Sequence, residues 1–258
     1  MENRIIKYPR TPHIEGSRLQ SGDEDLSQIP FSAIKGKWAV VEEKVDGANV
    51  GISFSDGEMN LQSRGHFLRG GAKERDYELF KVWANSKRDE LYSILGERYI
   101  MYGEWLYRKH RVYYNALSHF FLEFDIFDTE TGEYLDTRSR KALLFGSCIK
   151  SVPVLFEGIL PSKEALLSHV GRSKFIEGDH VSELYQAAEE MGANPQEVIS
   201  STDPSALMEG LYVKLEDGGR VNGRMKYVRH GYTQTATEER WHGGIIIPNK
   251  LKSGSIFD

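Results

Sequence analysis

Cysteine is almost absent from this chain, Cys148 being its only one. That excludes an intramolecular disulfide and a cysteine-built zinc site, and a reducing, intracellular compartment fits best. Surplus positive charge is missing too: 33 Lys and Arg stand against 38 Asp and Glu, a net charge of -5. A protein held on nucleic acid mainly by bulk charge is thereby excluded, so any polyanion must meet a local basic cleft. No window has the uncharged apolar length needed to cross a bilayer, and Met1-Glu2-Asn3-Arg4-Ile5-Ile6-Lys7 lacks the apolar core of a signal peptide. Internal repeats and low-complexity tracts are absent as well. The expectation is a soluble, cytoplasmic protein with no membrane partner.

What is present is ordinary globular material, 258 residues of which 40% are hydrophobic, enough for a sizeable core. Residues 8–30 carry Pro9, Pro12, Gly16, Gly22 and Pro30, which predicts an irregular arm in which Arg10, His13 and Arg18 are weak candidates for phosphate contact. Two strand-like runs from Lys37 to Phe54 flank a turn at Lys44, and Met59 to Arg64 follows as a third, which predicts a β-meander. Apolar spacing between Arg75 and Leu95 predicts a helix or a pair of short helices stopped at Gly96. Strands are expected at Arg98–Leu106 and His119–Asp128, on either side of a basic, tyrosine-bearing loop at 107–117. Asp136 or Thr137 caps a helix through Phe145, and Ser151–Gly158 is extended. Residues 161–208 have the pattern of a helical insertion, with starts at Pro161-Ser162, Asp179 and Asn194. Strand character returns at Leu207–Leu215 and Gly223–Arg229 around the turn Glu216-Asp217-Gly218-Gly219, and a short polar tail follows.

The most suggestive stretch is Lys44-Val45-Asp46-Gly47-Ala48-Asn49, where one lysine stands at the end of a strand and a glycine permits close backbone approach. Taken alone, such a tetrapeptide is usually a solvated turn. An amine nucleophile needs burial or nearby cations to lower its pKa, together with carboxylates to hold a metal. Glu104 and Glu209 each lie beside a glycine at a strand edge and offer the oxygen ligands that suit magnesium. Lys214, Arg224 and Lys226 fall on two strands joined by a tight turn, where alternation puts Arg224 and Lys226 on one face as a candidate phosphate clamp. Phe124 is a candidate to stack on a nucleobase, with core packing as its plainer role.

In order along the chain, Lys44-Val45-Asp46-Gly47-Ala48-Asn49, Ser63-Arg64, Tyr102-Gly103-Glu104, Phe124-Asp125-Ile126, Glu209-Gly210-Leu211-Tyr212-Val213-Lys214 and Arg224-Met225-Lys226 resemble motifs I, Ia, III, IIIa, IV and V of covalent nucleotidyltransferases. The set, spanning about residues 37–229, is most similar to the RNA ligase 2-like group of ATP-dependent RNA ligases. The resemblance implies an α+β nucleotidyltransferase domain of the ATP-grasp-like adenylation type: antiparallel sheets with flanking helices and a helical insertion, in a single domain over 1–258 whose arm is 1–36. It implies ATP as the nucleotide, AMP as a covalent intermediate on Lys44, and Mg2+ or Mn2+ as the metal. Glu209 and Lys226 would join Lys44 in catalysis. Glu43, Asn49, Arg64, Glu104, Phe124, Lys214 and Arg224 would bind the nucleotide, the backbone of Glu43 reading the base, and Glu104 and Glu209 would place the metal. The implied function is joining of RNA 3′-hydroxyl and 5′-phosphate ends, in the service of RNA repair.

The chain departs from the pattern in three places. Arg224 stands where lysine is usual in motif V, and a guanidinium forks where an ammonium does not. Asp46 resembles DNA ligases and capping enzymes, whereas Asn49 points away from them. Residues 230–258 are too few for the C-terminal domain of either group, so the expectation is that the insertion, the loop 107–117 or a partner protein holds the nucleic acid. Arg108, Lys109, His110 and Arg111, interleaved with Tyr107, Tyr113 and Tyr114, are the candidate contacts. A compact DNA ligase, a capping-type transferase acting on other ends, and a nucleotide- or RNA-end-binding module without turnover remain the alternatives.

Overall fold

The computed structural model describes residues 5–19, 23, 26–232 and 245–258. The strands are β1 (His13–Ile14), β2 (Gln28–Ile29), β3 (Trp38–Lys44), β4 (Ala48–Ser55), β5 (Glu58–Ser63), β6 (Tyr99–Trp105), β7 (Phe121–Asp128), β8 (Glu133–Tyr134), β9 (Lys150–Ser151), β10 (Val154–Ile159), β11 (Gly210–Asp217) and β12 (Arg220–Val228). The helices are α1 (Glu78–Ser86), α2 (Arg88–Leu95), α3 (Thr137–Leu143), α4 (Lys163–Leu167), α5 (His180–Glu190) and α6 (Pro195–Ser200). They build an α+β molecule around two sheets, one in the order β10-β3-β11-β12-β1-β2 and the other in the order β5-β4-β6-β7-β8, with β9 alongside β7. Pairing is antiparallel throughout except for β1 with β12 and β2, and β9 with β7.

β3 lies between β10 and β11 and is covered on both faces. Ala39 and Val41 enter one apolar core with Leu211, Val213 and Met225, while Glu42 and Lys44 alternate onto the opposite face, towards the second sheet. That face continues through the register. Lys44 is opposite Gly210 and Glu42 opposite Tyr212, and in turn Tyr212 is opposite Lys226 and Lys214 opposite Arg224. The second sheet buries its outer face under α1 and α2, with Phe80, Trp83, Leu91 and Leu95 against Ile52, Met101 and Phe121.

Helix starts follow local chemistry. Asp136, Ser162, Asp179 and Asn194 each accept a backbone N–H of the first turn, and Pro195 opens α6. Between Arg75 and Leu95 the chain forms two short helices that change over at Lys87, and α2 stops at Gly96 with φ 49°.

The predicted meander is corrected. β4 and β5 form a hairpin, but β3 and β4 belong to different sheets, and residues 45–47 carry the chain from one to the other. The crossing is tight because a Cβ on Gly47 would stand 2.6 Å from the carbonyl oxygen of Trp105 and 2.7 Å from Leu106 Cδ2. The arm also differs from the expected irregular wrap: β1 pairs with β12, and Tyr8 is buried between the sheets beside Tyr102 and Phe124. Of the tail, residues 233–244 lie outside the described residues. Beyond them Asn249 is buried, accepting from the N–H of Tyr114 and donating to the carbonyl of Leu106, so this segment clamps the loop 107–117.

Candidate active site

A cleft of about 450 Å³ opens between the two sheets, and the end of β3 supplies its central group. Lys44 Nζ donates to Glu209 Oε2 at 2.7 Å. Glu209 directly precedes β11, whose Gly210 is opposite Lys44, so strand register sets this contact. From the second sheet come Asn49 on β4 and Glu104 on β6, which are cross-strand partners. Glu104 Oε1 accepts from the N–H of Gly47 at 3.2 Å. Asn49 Oδ1 is buried and has no hydrogen-bond partner among the described residues. A buried amide oxygen in that state has capacity reserved for a ligand. Ser63, Arg64 and Tyr77 complete that side.

Phe124 reaches the cleft through a β-bulge. The partner of β6 jumps from Asp125 at Tyr102 to Glu123 at Gly103, leaving Phe124 as the extra residue. The ring of Tyr8 abuts that of Phe124 at 5.1 Å and an interplanar angle of 72°, and Tyr212 lies 6.5 Å from Phe124 on another side. These three rings give an apolar wall in an otherwise polar cleft.

Electrostatics at Lys44 runs against the sequence expectation that surrounding cations lower its pKa. Burial pulls the ammonium down, but Glu209, Glu104 and Asp46 outweigh it, and the net shift is upward. Glu104 is pushed up to about 7 by burial, against the attraction of Lys44 and with the repulsion of Glu209 and Asp46. Lys226 moves the other way: burial and the charge of Lys44 depress it despite its ion pair with Asp23. Asp23 also contacts His13 Nε2 at 3.1 Å and Arg10 at 3.3 Å, and its carboxyl is held down at about 2, burial being overcome by Lys226 and His13.

Two predicted phosphate ligands are elsewhere. Lys214 is wholly buried, 2.8 Å from Glu42 Oε2 and 3.2 Å from Asp125 Oδ1, and it donates to the carbonyl of Phe124. Arg224 lies over the ring of Tyr134 at 3.9 Å, with Asp125 Oδ2 at 3.3 Å. Neither lines the cleft. Register is the reason: Lys214 and Arg224 sit two residues deeper along β11 and β12 than the Tyr212–Lys226 pair, beneath the floor. Their role is to neutralise Asp125, whose carboxyl stays below the usual range although buried, and so to hold Phe124. Glu43 is corrected in part. Its N–H donates to the carbonyl of Pro153, and its carboxylate accepts from Ser173 Oγ at 2.5 Å and from the N–H of Lys174 at 3.0 Å, so it ties the 161–208 segment to the cleft wall.

The basic loop is likewise built in rather than presented. Arg108 pairs with Asp76 at 2.7 Å, Lys109 donates to the carbonyl of His110, and Arg111 donates to the carbonyl of Ser201. Asp46 Oδ2 takes the backbone N–H of both Arg111 and Val112 at 2.8 and 2.9 Å. Of the expected arm contacts, Arg10 and His13 gather behind Asp23, whereas Arg18 is paired through its backbone to Val228. Sequence reasoning misses Tyr8, Asp23 and Tyr212. Period-two alternation from Lys214 back to Gly210 was signal enough for Tyr212; Asp23 has none.

The RNA ligase family model matches residues 37–228, most of the chain and all of the cleft except the arm. The chain belongs to the RNA ligase family. No curated protein matches. Solved structures do: an RNA ligase of Naegleria gruberi, as a point mutant with ATP and Mn, superposes with a TM-score of 0.52 at 19% identity over 78% of this chain and 52% of that one. A second mutant of the same ligase, with AMP and Mn, gives 0.52 at 18% over the same shares, and a third, also with AMP and Mn, gives 0.52 at 17% over 88% and 62%. At these identities the likeness is one of fold, the nucleotidyltransferase type. This RNA ligase family member spans about half the length of the first of those proteins.

Proposed function

We propose that this RNA ligase family member is an ATP-dependent ligase that joins RNA 3′-hydroxyl and 5′-phosphate ends through a lysyl-AMP formed on Lys44. The observation that carries the reading is the convergence on one amine. Lys44 Nζ projects into a cleft with Glu209 at 2.7 Å, Glu104 and Asn49 on one wall, Lys226 on another and Phe124 as an apolar face.

In the first step Lys44 Nζ attacks the α-phosphorus of ATP. An N–P bond forms, the bond from that phosphorus to the bridging oxygen breaks, and pyrophosphate leaves. The proton that Nζ must lose has its acceptor in place, Glu209 Oε2. In the second step a 5′-phosphate oxygen displaces Lys44 from phosphorus, and the departing amine takes a proton back. In the third, a 3′-hydroxyl attacks the adenylated 5′-phosphorus, the phosphodiester forms and AMP leaves. Each step is in-line displacement, for which positioning and charge neutralisation supply most of the acceleration. Phe124 would face the adenine, Asn49 and Glu104 the ribose, and Lys226 and Arg64 the phosphates.

The donor set fits a hard divalent ion held largely through water. Among the described residues no group of three or more His, Cys, Asp or Glu side chains is arranged to hold an ion directly. Glu104 and Glu209 supply carboxylate oxygens, and Mg2+ and Mn2+ accept such ligands while keeping several waters. Bound there, the ion would neutralise phosphate charge.

Intact-mass measurement after incubation with ATP and Mg2+, starting from protein free of AMP, tests the reading. An AMP adduct on the protein and none on Lys44→Ala is expected, followed by sealing of 5′-phosphorylated RNA. No adduct under those conditions overturns it, and an adduct from GTP alone would assign capping chemistry instead.

A further inference from the structure

The strand that ends at the cleft does not stop there. After β5 the chain turns at Ser63–His66, where the N–H of Ser63 donates to the carbonyl of His66, and runs back along the outer edge of β5, with Gln62 bridging Phe67 and the N–H of Leu68 on the carbonyl of Leu61. Arg64 stands at the tip and lines the cleft; His66 and Arg69 are exposed along the returning leg. The Arg69 guanidinium lies over the ring of Phe67, 5.1 Å from its centroid. Among the described residues neither Arg64 nor Arg69 is paired with a carboxylate, in a protein whose acids outnumber its Lys and Arg by 38 to 33. The contrast with Arg108 and Arg111, both engaged internally, is direct.

The leg is also fixed in shape. Buried Glu74 takes the backbone N–H of Arg69 at 3.1 Å and of Gly70 at 2.7 Å, and Gly70 and Gly71 turn the chain away at φ 104° and 120°. Exposed guanidinium groups, one of them held over a half-buried aromatic ring, on a fixed edge that leads into the cleft, are what an RNA backbone requires: forked donors for phosphate oxygens.

We propose that the hairpin of residues 64–71 is the docking surface for the RNA substrate, with Arg69 and His66 on its phosphodiester backbone and Arg64 nearest the reacting end. The proposal rests on the ligase reading above, and the two fail separately.

Equilibrium binding of a 5′-phosphorylated RNA is measured as a function of salt for the protein and for Arg69→Ala, with the AMP adduct of each followed by intact mass. Arg69→Ala is expected to form the adduct at the unsubstituted rate, to bind RNA about tenfold more weakly at low salt, and to lower the slope of log affinity against log salt by about one. Arg69→Lys recovers the slope. On the unsubstituted protein, RNA is expected to shield Arg69 from phenylglyoxal. Unchanged affinity and slope in Arg69→Ala, or no shielding of Arg69, overturns the hairpin assignment even where the adduct forms. Absence of the adduct counts against the ligase reading alone.

Discussion

Lys44 and Glu209 meet across adjacent strands, Nζ to Oε2 at 2.7 Å, the carboxylate coming from the residue just before the Gly210 that the register sets opposite the lysine. The contact gives the amine an acceptor for its proton and also stabilises the protonated form, which is unreactive. On the proposed reaction, a cation must therefore draw off the charge of Glu209 before the amine can attack.

The Lys44 titration should report that balance. In the ATP-free protein, competitive labelling of Lys44 should give a midpoint above the ordinary lysine value, because Glu209, Glu104 and Asp46 outweigh burial. Glu209→Gln removes the leading charge and should lower the midpoint. A midpoint that stays in place or rises in Glu209→Gln would contradict the assigned cause.

Glu104 ties stability to pH. Its carboxyl is raised to about 7 in the folded protein, so between the unfolded value and 7 the native state holds the extra proton, and this group's contribution falls as pH rises through that window. Glu104→Gln, which keeps an acceptor for the N–H of Gly47, should be stabilising by about 1–2 kcal/mol at pH 8 and close to neutral at pH 4.5. Urea unfolding at the two pH values checks it, and an equal effect at both would refute the linkage.

Arg140 is buried between Glu42 Oε1 at 2.6 Å and Glu123 Oε1 at 2.7 Å, one on each sheet. Arg140→Met leaves buried Glu123 without its ion-pair partner and Glu42 with Lys214 alone, and should cost about 3–5 kcal/mol in denaturant unfolding. Adding Glu42→Gln and Glu123→Gln should recover part of the loss. No recovery would mean that shape, rather than charge, is what Arg140 contributes.

Two glycines should separate cleanly. Gly47→Ala drives a methyl against the Trp105 carbonyl and the Leu106 side chain, while a Cβ on Gly65 meets nothing within 4 Å. Gly47→Ala should lose about 2–4 kcal/mol and most of the AMP adduct, and Gly65→Ala should lose neither. Thermal unfolding and intact mass decide between them.

Element type was legible where periodicity and caps speak locally: the β4–β5 and β11–β12 hairpins, the paired α1 and α2, and the starts of α3, α5 and α6. Sheet membership was not. Nothing in Lys37–Phe54 says that β3 finds its neighbours in strands more than a hundred residues later, Val154–Ile159 and Gly210–Asp217. Among the site residues, Lys44, Glu104, Asn49, Phe124, Glu209 and Lys226 were recognisable by motif and share one cleft. Lys214 and Arg224 were recognisable too, yet which of several cations on one strand face reaches the surface depends on depth, and depth comes from the opposing sheet. For the same reason the basic run 108–111 was misleading, since its partners Asp76, Asp46 and Ser201 are remote in sequence.

The three residues that carry the chain between sheets also act as the spine of a book. Lys44 is on one page, with Glu209 and Lys226; Asn49, Glu104 and Phe124 are on the other. A nucleotide gripping both pages would clasp the covers, so on the proposed function loading the protein with AMP should raise its melting temperature. Lys44, the residue proposed to take the nucleotide, ends the strand that leads into this spine, where that clasp would be felt first.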